Sequence, residues 1–356
     1  MKKYLLFFLL IVLAGCSSKP SPEKIPSSVK SVFNLLVEKP QFIMYLNFGN
    51  MRNTQFWKDN ISDSVFTADN TLGGIFNTFR EATGASLSGG LDELYYTNSW
   101  TGENAFVLKG GFDRDKLNLF VKNDSTISKK EYQGGITVYI KKENNLQFFF
   151  KDNYTICASN YTEQIEKMLN TADTTKSGLL LNDEVMAAIE KINYKNNLWM
   201  LTTEKTFIRG IFLNFIESKN PRLDTTKSLP IDTIDNDNAH KTDSLNKTDK
   251  LIVNELFKQV NSVSLSAKMK NDLDLNVQFE CVDVKSADFL NKLITGMITL
   301  SKFTSPASKN VNPSASEKVM ESLKVSSYDS SVQIDILIND NNIDDFRKNS
   351  FLKKPN

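Results

Sequence analysis

The chain holds a single histidine, His240, among 356 residues, and that scarcity limits its chemistry. Ser-His-Asp and Cys-His relays need a histidine packed beside the nucleophile. His240 instead stands in the stretch 218–250, which has six basic residues, six acidic residues and no aromatic side chain. Such a stretch cannot bury enough apolar surface to offset its ordering entropy. It reads as a disordered polar insertion, and His240 reads as a solvated side chain rather than a metal ligand. Zinc needs clustered Cys and His ligands, yet Cys157 and Cys281 lie 124 positions apart. Each falls in a run of alternating apolar residues. A disulfide between them is open outside the cytoplasm, but separate buried thiols are the expectation. Gly84-Ala-Ser-Leu-Ser-Gly89 has the spacing of a phosphate loop, but Gly90-Leu91 follow where Lys and Ser/Thr are needed. Gly84-Ala-Ser86-Leu-Ser88 starts like a nucleophile elbow and lacks its closing glycine. Gly73-Gly74 and Gly110-Gly111 read as turn or boundary glycines. The acid pairs Asp113/Asp115, Asp183/Glu184 and Asp344/Asp345 fall at expected helix starts, where a carboxylate satisfies free N–H groups. Trp57, Trp100, Trp199 and Phe148-Phe149-Phe150 are groove candidates, but core filling explains them more simply. No catalytic residue, cofactor or metal is expected.

The elements that would position these side chains alternate between periods of two and of 3.6. Strands are expected at Phe42–Phe48, 91–100, 103–110, 136–142, 146–151 and 154–159, with a hairpin turn at Asp152-Asn153. Helices are expected from near Asn50, at 72–79, after Asp113 and at 161–170. The pattern then recurs. A strand at Leu198–Thr202 precedes a helix through Phe207, Ile211 and Phe215. Next come a helix at 250–258, strands at 261–269 and 273–283, helices at 286–301 and 314–322, strands at 323–328 and 331–338, and a final helix with Ile343 and Phe346. Strand, turn, strand, helix occupies the same place in each half. The expected fold is therefore α+β, as two related mixed-sheet units at 41–170 and 197–349 with possible internal duplication. A helical connector fills 171–196, its helix at 182–192.

The N-terminus carries the one recognisable motif. Lys2 and Lys3 precede an uninterrupted apolar run, Leu5–Ala14. Ten residues suit a signal-peptide core, whereas a spanning helix takes roughly 20. The run ends in Leu13-Ala14-Gly15-Cys16, which resembles the lipobox of bacterial lipoproteins. That resemblance implies cleavage between Gly15 and Cys16, a diacylglyceryl group on the Cys16 thiol, and attachment to a membrane through the lipid. Two acyl chains hold stably where one holds marginally. Residues 16–40 are then the lipidated terminus and a flexible tether, since 17–31 contain three prolines and six serines. Ser27 and Lys30 match the Ser-x-x-Lys of penicillin-recognising acyl enzymes, but the Ser-Asp-Asn and Lys-Thr-Gly elements of that family are missing.

Removing residues 1–15 leaves 41 basic against 42 acidic residues. A near-neutral chain without a basic cluster gives no electrostatic reason to expect nucleic acid. The expected role is non-enzymatic: a membrane-anchored envelope protein that binds a partner or serves structurally. A carrier or sensor of an apolar ligand such as a lipid is the alternative, and a carboxylate-dependent hydrolase comes third. Ser17, in place of the aspartate that retains enteric lipoproteins in the inner membrane, points to the periplasmic face of an outer membrane in a host that has two.

Overall fold

The computed structural model describes residues 24–61, 79–132, 134–172, 175–192, 195–217, 256–304, 319 and 321–339. The fold is α+β: helices flank one twelve-stranded sheet. In chain order its elements are α1 (Ser27–Phe33), β1 (Phe42–Asn47), α2 (Phe48–Arg52), α3 (Gln55–Asn60), β2 (Leu91–Asn98) and β3 (Asn104–Gly110). They continue with α4 (Arg114–Asn123), β4 (Ile127–Tyr132), β5 (Ile136–Lys141), β6 (Leu146–Phe150), β7 (Thr155–Ser159), α5 (Thr162–Asn170) and α6 (Asp183–Lys191). The rest are β8 (Leu198–Thr202), α7 (Lys205–Glu217), β9 (Val260–Met269), β10 (Leu273–Cys281), α8 (Val284–Thr304), β11 (Lys324–Tyr328) and β12 (Ser331–Ile338).

The strand order is β11-β12-β10-β9-β8-β1-β2-β3-β7-β6-β5-β4. Read outward from its middle, the second half runs β8-β9-β10-β12-β11 and the first runs β1-β2-β3-β7-β6, so one strand order recurs. The first half adds the β4–β5 hairpin at its edge. The halves meet where β1 pairs with β8, with Met44 opposite Met200 and Tyr45 opposite Trp199. The expectation of mixed sheets is corrected, because every pairing of named strands is antiparallel. Short turns join β2 to β3, β4 through β7 in succession, β9 to β10 and β11 to β12, and a short turn reverses the chain. A parallel neighbour would need a crossover of a dozen or more residues. The two units also share one sheet instead of building two.

Period-2 alternation sorts the side chains between the faces. Ile43, Tyr45, Trp199, Val107 and Cys157 face one core, beneath α1, α5 and α6. Met44, Leu46, Leu94, Leu108 and Ile156 face another, with Phe48 and Leu117 from α2 and α4. A third core lies under α7 and α8, with Ile208, Phe279, Leu290 and Val332.

The tether is shorter than its composition suggests. Ile25, Val32, Phe33, Leu35, Leu36 and Val37 are all buried in the first core, each large apolar side chain contributing about 1.5–3 kcal/mol when taken out of water. Serine and proline spacing hid these residues, since Pro26 is the N-cap of α1, a position where proline costs no hydrogen bond. The connector helix is present as α6. The insertion 218–250 and most of the helices expected at 72–79, 250–258, 314–322 and the C-terminus lie outside the described residues.

Candidate functional site

Three strands bring aromatic residues into one row. Tyr45 on β1 is in register with Tyr95 on β2 and with Trp199 on β8. The ring centroids are 4.7 Å apart for Tyr45–Tyr95 and 5.7 Å for Tyr45–Trp199. Phe33, at the end of α1, stands edge-on to Tyr95 and Trp199 at 6.3 and 6.5 Å. This edge-to-face geometry is favoured by the ring quadrupoles.

Two residues farther along the same face runs a polar row. Asn47 is opposite Glu93, and Glu93 is opposite Lys109. Tyr45 Oη donates to Glu93 Oε1 at 3.1 Å and Tyr95 Oη donates to Oε2 at 3.2 Å. Asn47 Nδ2 donates to Tyr45 Oη at 2.9 Å, while its Oδ1 accepts the Asn50 backbone N–H at 2.8 Å and so caps α2. Lys109 Nζ lies 3.7 Å from Glu93 and 5.7 Å from the Tyr95 ring centroid. Burial first, and then the Glu93 charge, push both phenols well above the usual tyrosine range. At neutral pH they are fixed donors to a carboxylate rather than bases.

Beside this cluster opens a cavity of about 360 Å³ lined by Val29, Tyr45, Asn47, Asn50, Tyr95, Lys195 and Trp199. A second cavity, about 320 Å³, lies between the end of α1 and α5. Its polar walls are already tied into the fold: Gln164 Nε2 donates to the Leu35 carbonyl at 2.8 Å and Asn34 Oδ1 accepts the Ser177 N–H at 3.0 Å.

A further polar cluster sits in the second half. Glu280 on β10 is 4% exposed and accepts from Lys191 Nζ of α6 at 2.7 Å, from Gln278 Nε2 and from Ser331 Oγ. Burial raises its carboxyl, but these hydrogen bonds outweigh burial and hold it below the usual carboxylate range.

The residues singled out in the sequence scatter. Trp57, Trp199, Phe148 and Phe149 are buried as core expectations require, whereas Trp100 is 55% exposed in the turn between β2 and β3. Cys157 and Cys281 are separate free thiols, each pushed up to about 12 chiefly by burial. Asp113 caps α4 by accepting the Lys116 N–H at 2.9 Å, with Asp115 in the first turn. Asp183 and Glu184 occupy the first turn of α6, but its cap is Asn182, one residue earlier. Ser86 and Gly89 close a small loop on each other, Ser86 N donating to the Gly89 carbonyl at 2.7 Å. Ser27 and Lys30 lie exposed on α1. Gly15, Cys16, Gly73, Gly74, His240, Asp344 and Asp345 lie outside the described residues. Among those described, no three His, Cys, Asp or Glu side chains are grouped to hold a metal, and no helix is long and apolar enough to cross a membrane.

Of the cavity residues, only Trp199 was singled out in the sequence. Alternation in Tyr45/Asn47 and Glu93/Tyr95 places each pair on one face, but which strands adjoin is not readable from spacing.

No family model matches the chain, and no curated protein matches it. Among solved structures, crystal form III of TP0453 is similar with a TM-score of 0.46 at 10% identity, over 89% of this chain and 96% of that one. Crystal form I gives 0.46 at 10% identity, over 87% and 94%. A likeness this weak assigns no role.

Proposed function

We propose that this chain is a lipid-anchored envelope protein whose body binds a small molecule and does not catalyse a reaction. The observation that carries the binding reading is the cavity at the polar end of the Trp199–Tyr45–Tyr95 row. Its volume, about 360 Å³, falls in the range of roughly 300–1,000 Å³ typical of ligand pockets. Its walls join a few polar groups to buried aromatic rings. Glu93, held by two phenol donors and Lys109, fixes the shape of the wall. Two asparagines and a lysine in the lining suit a small polar ligand better than an acyl chain.

The anchoring half rests on the charged start, the ten-residue apolar run and the lipobox-like Leu13-Ala14-Gly15-Cys16. Seven residues separate Cys16 from Lys24, eight chain steps with a reach of at most about 28 Å when fully extended. Val29 of α1, just beyond, lines the cavity, so the cavity lies on the side of the body where the tether joins. The periplasmic face of an outer membrane is the proposed location in a host with two membranes.

Membrane fractionation and intact-mass analysis of wild type and Cys16→Ala test the anchor. The wild type is expected in the membrane, beginning at Cys16 and carrying lipid, and the variant is expected to be unlipidated and uncut after Gly15. A wild-type mass without lipid, or with cleavage elsewhere, overturns the reading.

A further inference from the structure

We infer that the cavity beside Tyr45 receives a neutral ligand through an amide carbonyl oxygen, which accepts the indole N–H of Trp199. This rests on reading that cavity as a binding site. Trp199 is 1% exposed and lines the cavity. An indole nitrogen is a donor only; this one has no hydrogen-bond partner among the described residues and is not one of their sealed-off unpaired atoms, which are Asn98 Oδ1 and Asn291 Oδ1, so it opens to the cavity. A donor that opens to a cavity is placed for a group from outside.

The neighbouring groups narrow what that group is. The Oδ1 of Asn47 is taken by Asn50 and one Nδ2 proton by Tyr45 Oη, which leaves its second N–H. Tyr45 spends its own proton on Glu93. The Asn50 side chain is exposed at the rim and adds two further N–H groups. Asn50 and the two phenols also offer acceptor oxygens, but the Trp199 nitrogen and the second Asn47 N–H can only donate, so the ligand must bring an acceptor oxygen for them.

Charge then selects among acceptors. The Glu93 carboxylate stands directly behind both phenols, and a second anion so close is disfavoured by like-charge repulsion. A neutral carbonyl satisfies the donors without that cost. Val29 supplies an apolar wall against which an alkyl group on the carbonyl carbon packs. A secondary amide carries both features, whether as the acetamido group of an N-acetylated sugar or as an acetylated peptide.

Indole N–H resonances of the full, anchored chain, labelled with ¹⁵N at its three tryptophans, read the contact directly. Trp57→Phe and Trp100→Phe assign the Trp199 signal by elimination without disturbing the cavity. The probes are N-acetylglucosamine, N-acetylalanine methylamide, glucosamine and sodium acetate. A saturable downfield shift of Trp199 with an acetamide, with Trp100 unmoved, is the expected result. A response to the sugar alone or to the peptide alone names the source, and a response to both fixes the amide as the recognised group. Asn50→Ala, at an exposed side chain with no hydrogen bond to the described residues, is expected to weaken that response about 3- to 10-fold, the loss of one hydrogen bond. Movement with acetate or glucosamine while both acetamides are silent overturns the amide assignment and keeps the cavity as a binding site. Silence of Trp199 toward all four probes overturns both.

Discussion

Lys191→Met separates charge from shape at the buried Glu280 cluster, and its effect can be worked from the contacts. Glu280 is 4% exposed and has three donors, of which only Lys191 is charged. Breaking a fully buried ion pair costs roughly 3–5 kcal/mol, but exposed pairs are worth about 0–1 kcal/mol. The Lys191 side chain is 40% exposed against 6% for Glu280, which places the loss between these limits, at about 1–2 kcal/mol at pH 7. Methionine keeps most of the apolar stem, so little of the loss is apolar. The pH dependence has a fixed sign. The folded carboxyl lies below its ordinary value, so its contribution is fully present above the unfolded value of about 4.3 and is lost as pH falls through the lowered folded one. Removing Lys191 takes away a group that holds the carboxyl down, so the variant has less of this contribution to lose as the pH falls. Urea unfolding followed by circular dichroism, for both proteins between pH 3 and 8, should give a stability difference that shrinks toward zero at the acid end. A difference that is absent at pH 7, or constant across the range, refutes the account of this cluster.

Other expectations follow from single contacts. A Cβ on Gly110 would lie 2.0 Å from the Gly90 carbonyl oxygen, so Gly110→Ala should cost about 3 kcal/mol or more, read as a lowered thermal midpoint. Asp113→Ala removes the α4 cap and should cost about 1 kcal/mol in the same assay. Cys157 and Cys281, buried and raised to about 12, should resist a thiol reagent at pH 8 in the folded protein and react once it is unfolded in urea.

Much of the fold was legible where a single period dominates. Leu146–Phe150 and Thr155–Ser159 alternate around Asp152-Asn153, and the hairpin forms there. Leu198–Thr202 and the strands at 324–328 and 331–338 were equally plain. β4 was missed because Ile127 alone of its residues is buried, while Lys129, Lys130 and Glu131 are exposed at the sheet edge. Charges there discourage pairing with another chain and erase the apolar pattern. α1 was hidden by the proline that precedes it and by Ser27 and Ser28 on its exposed side. The recurrence of hairpin and helix was visible, but the β1–β8 pairing that joins the halves into one sheet is a long-range register with no local signal. The cavity has the same origin: Tyr45, Tyr95 and Trp199 are ordinary inward-facing aromatics until three strands are set side by side.

The most direct measurement of the central claim is native mass spectrometry of the full chain extracted gently from its own membrane. The account predicts a polypeptide beginning at Cys16 with covalent lipid, together with a second species heavier by one non-covalently held small molecule. That heavier species should be depleted in Asn50→Ala, whose lipidated mass changes only by the substitution. A lipidated protein with no retained molecule, and none taken up from an extract of its own cell envelope, would contradict the binding claim. A polypeptide retaining Met1 and no lipid would contradict the anchoring claim.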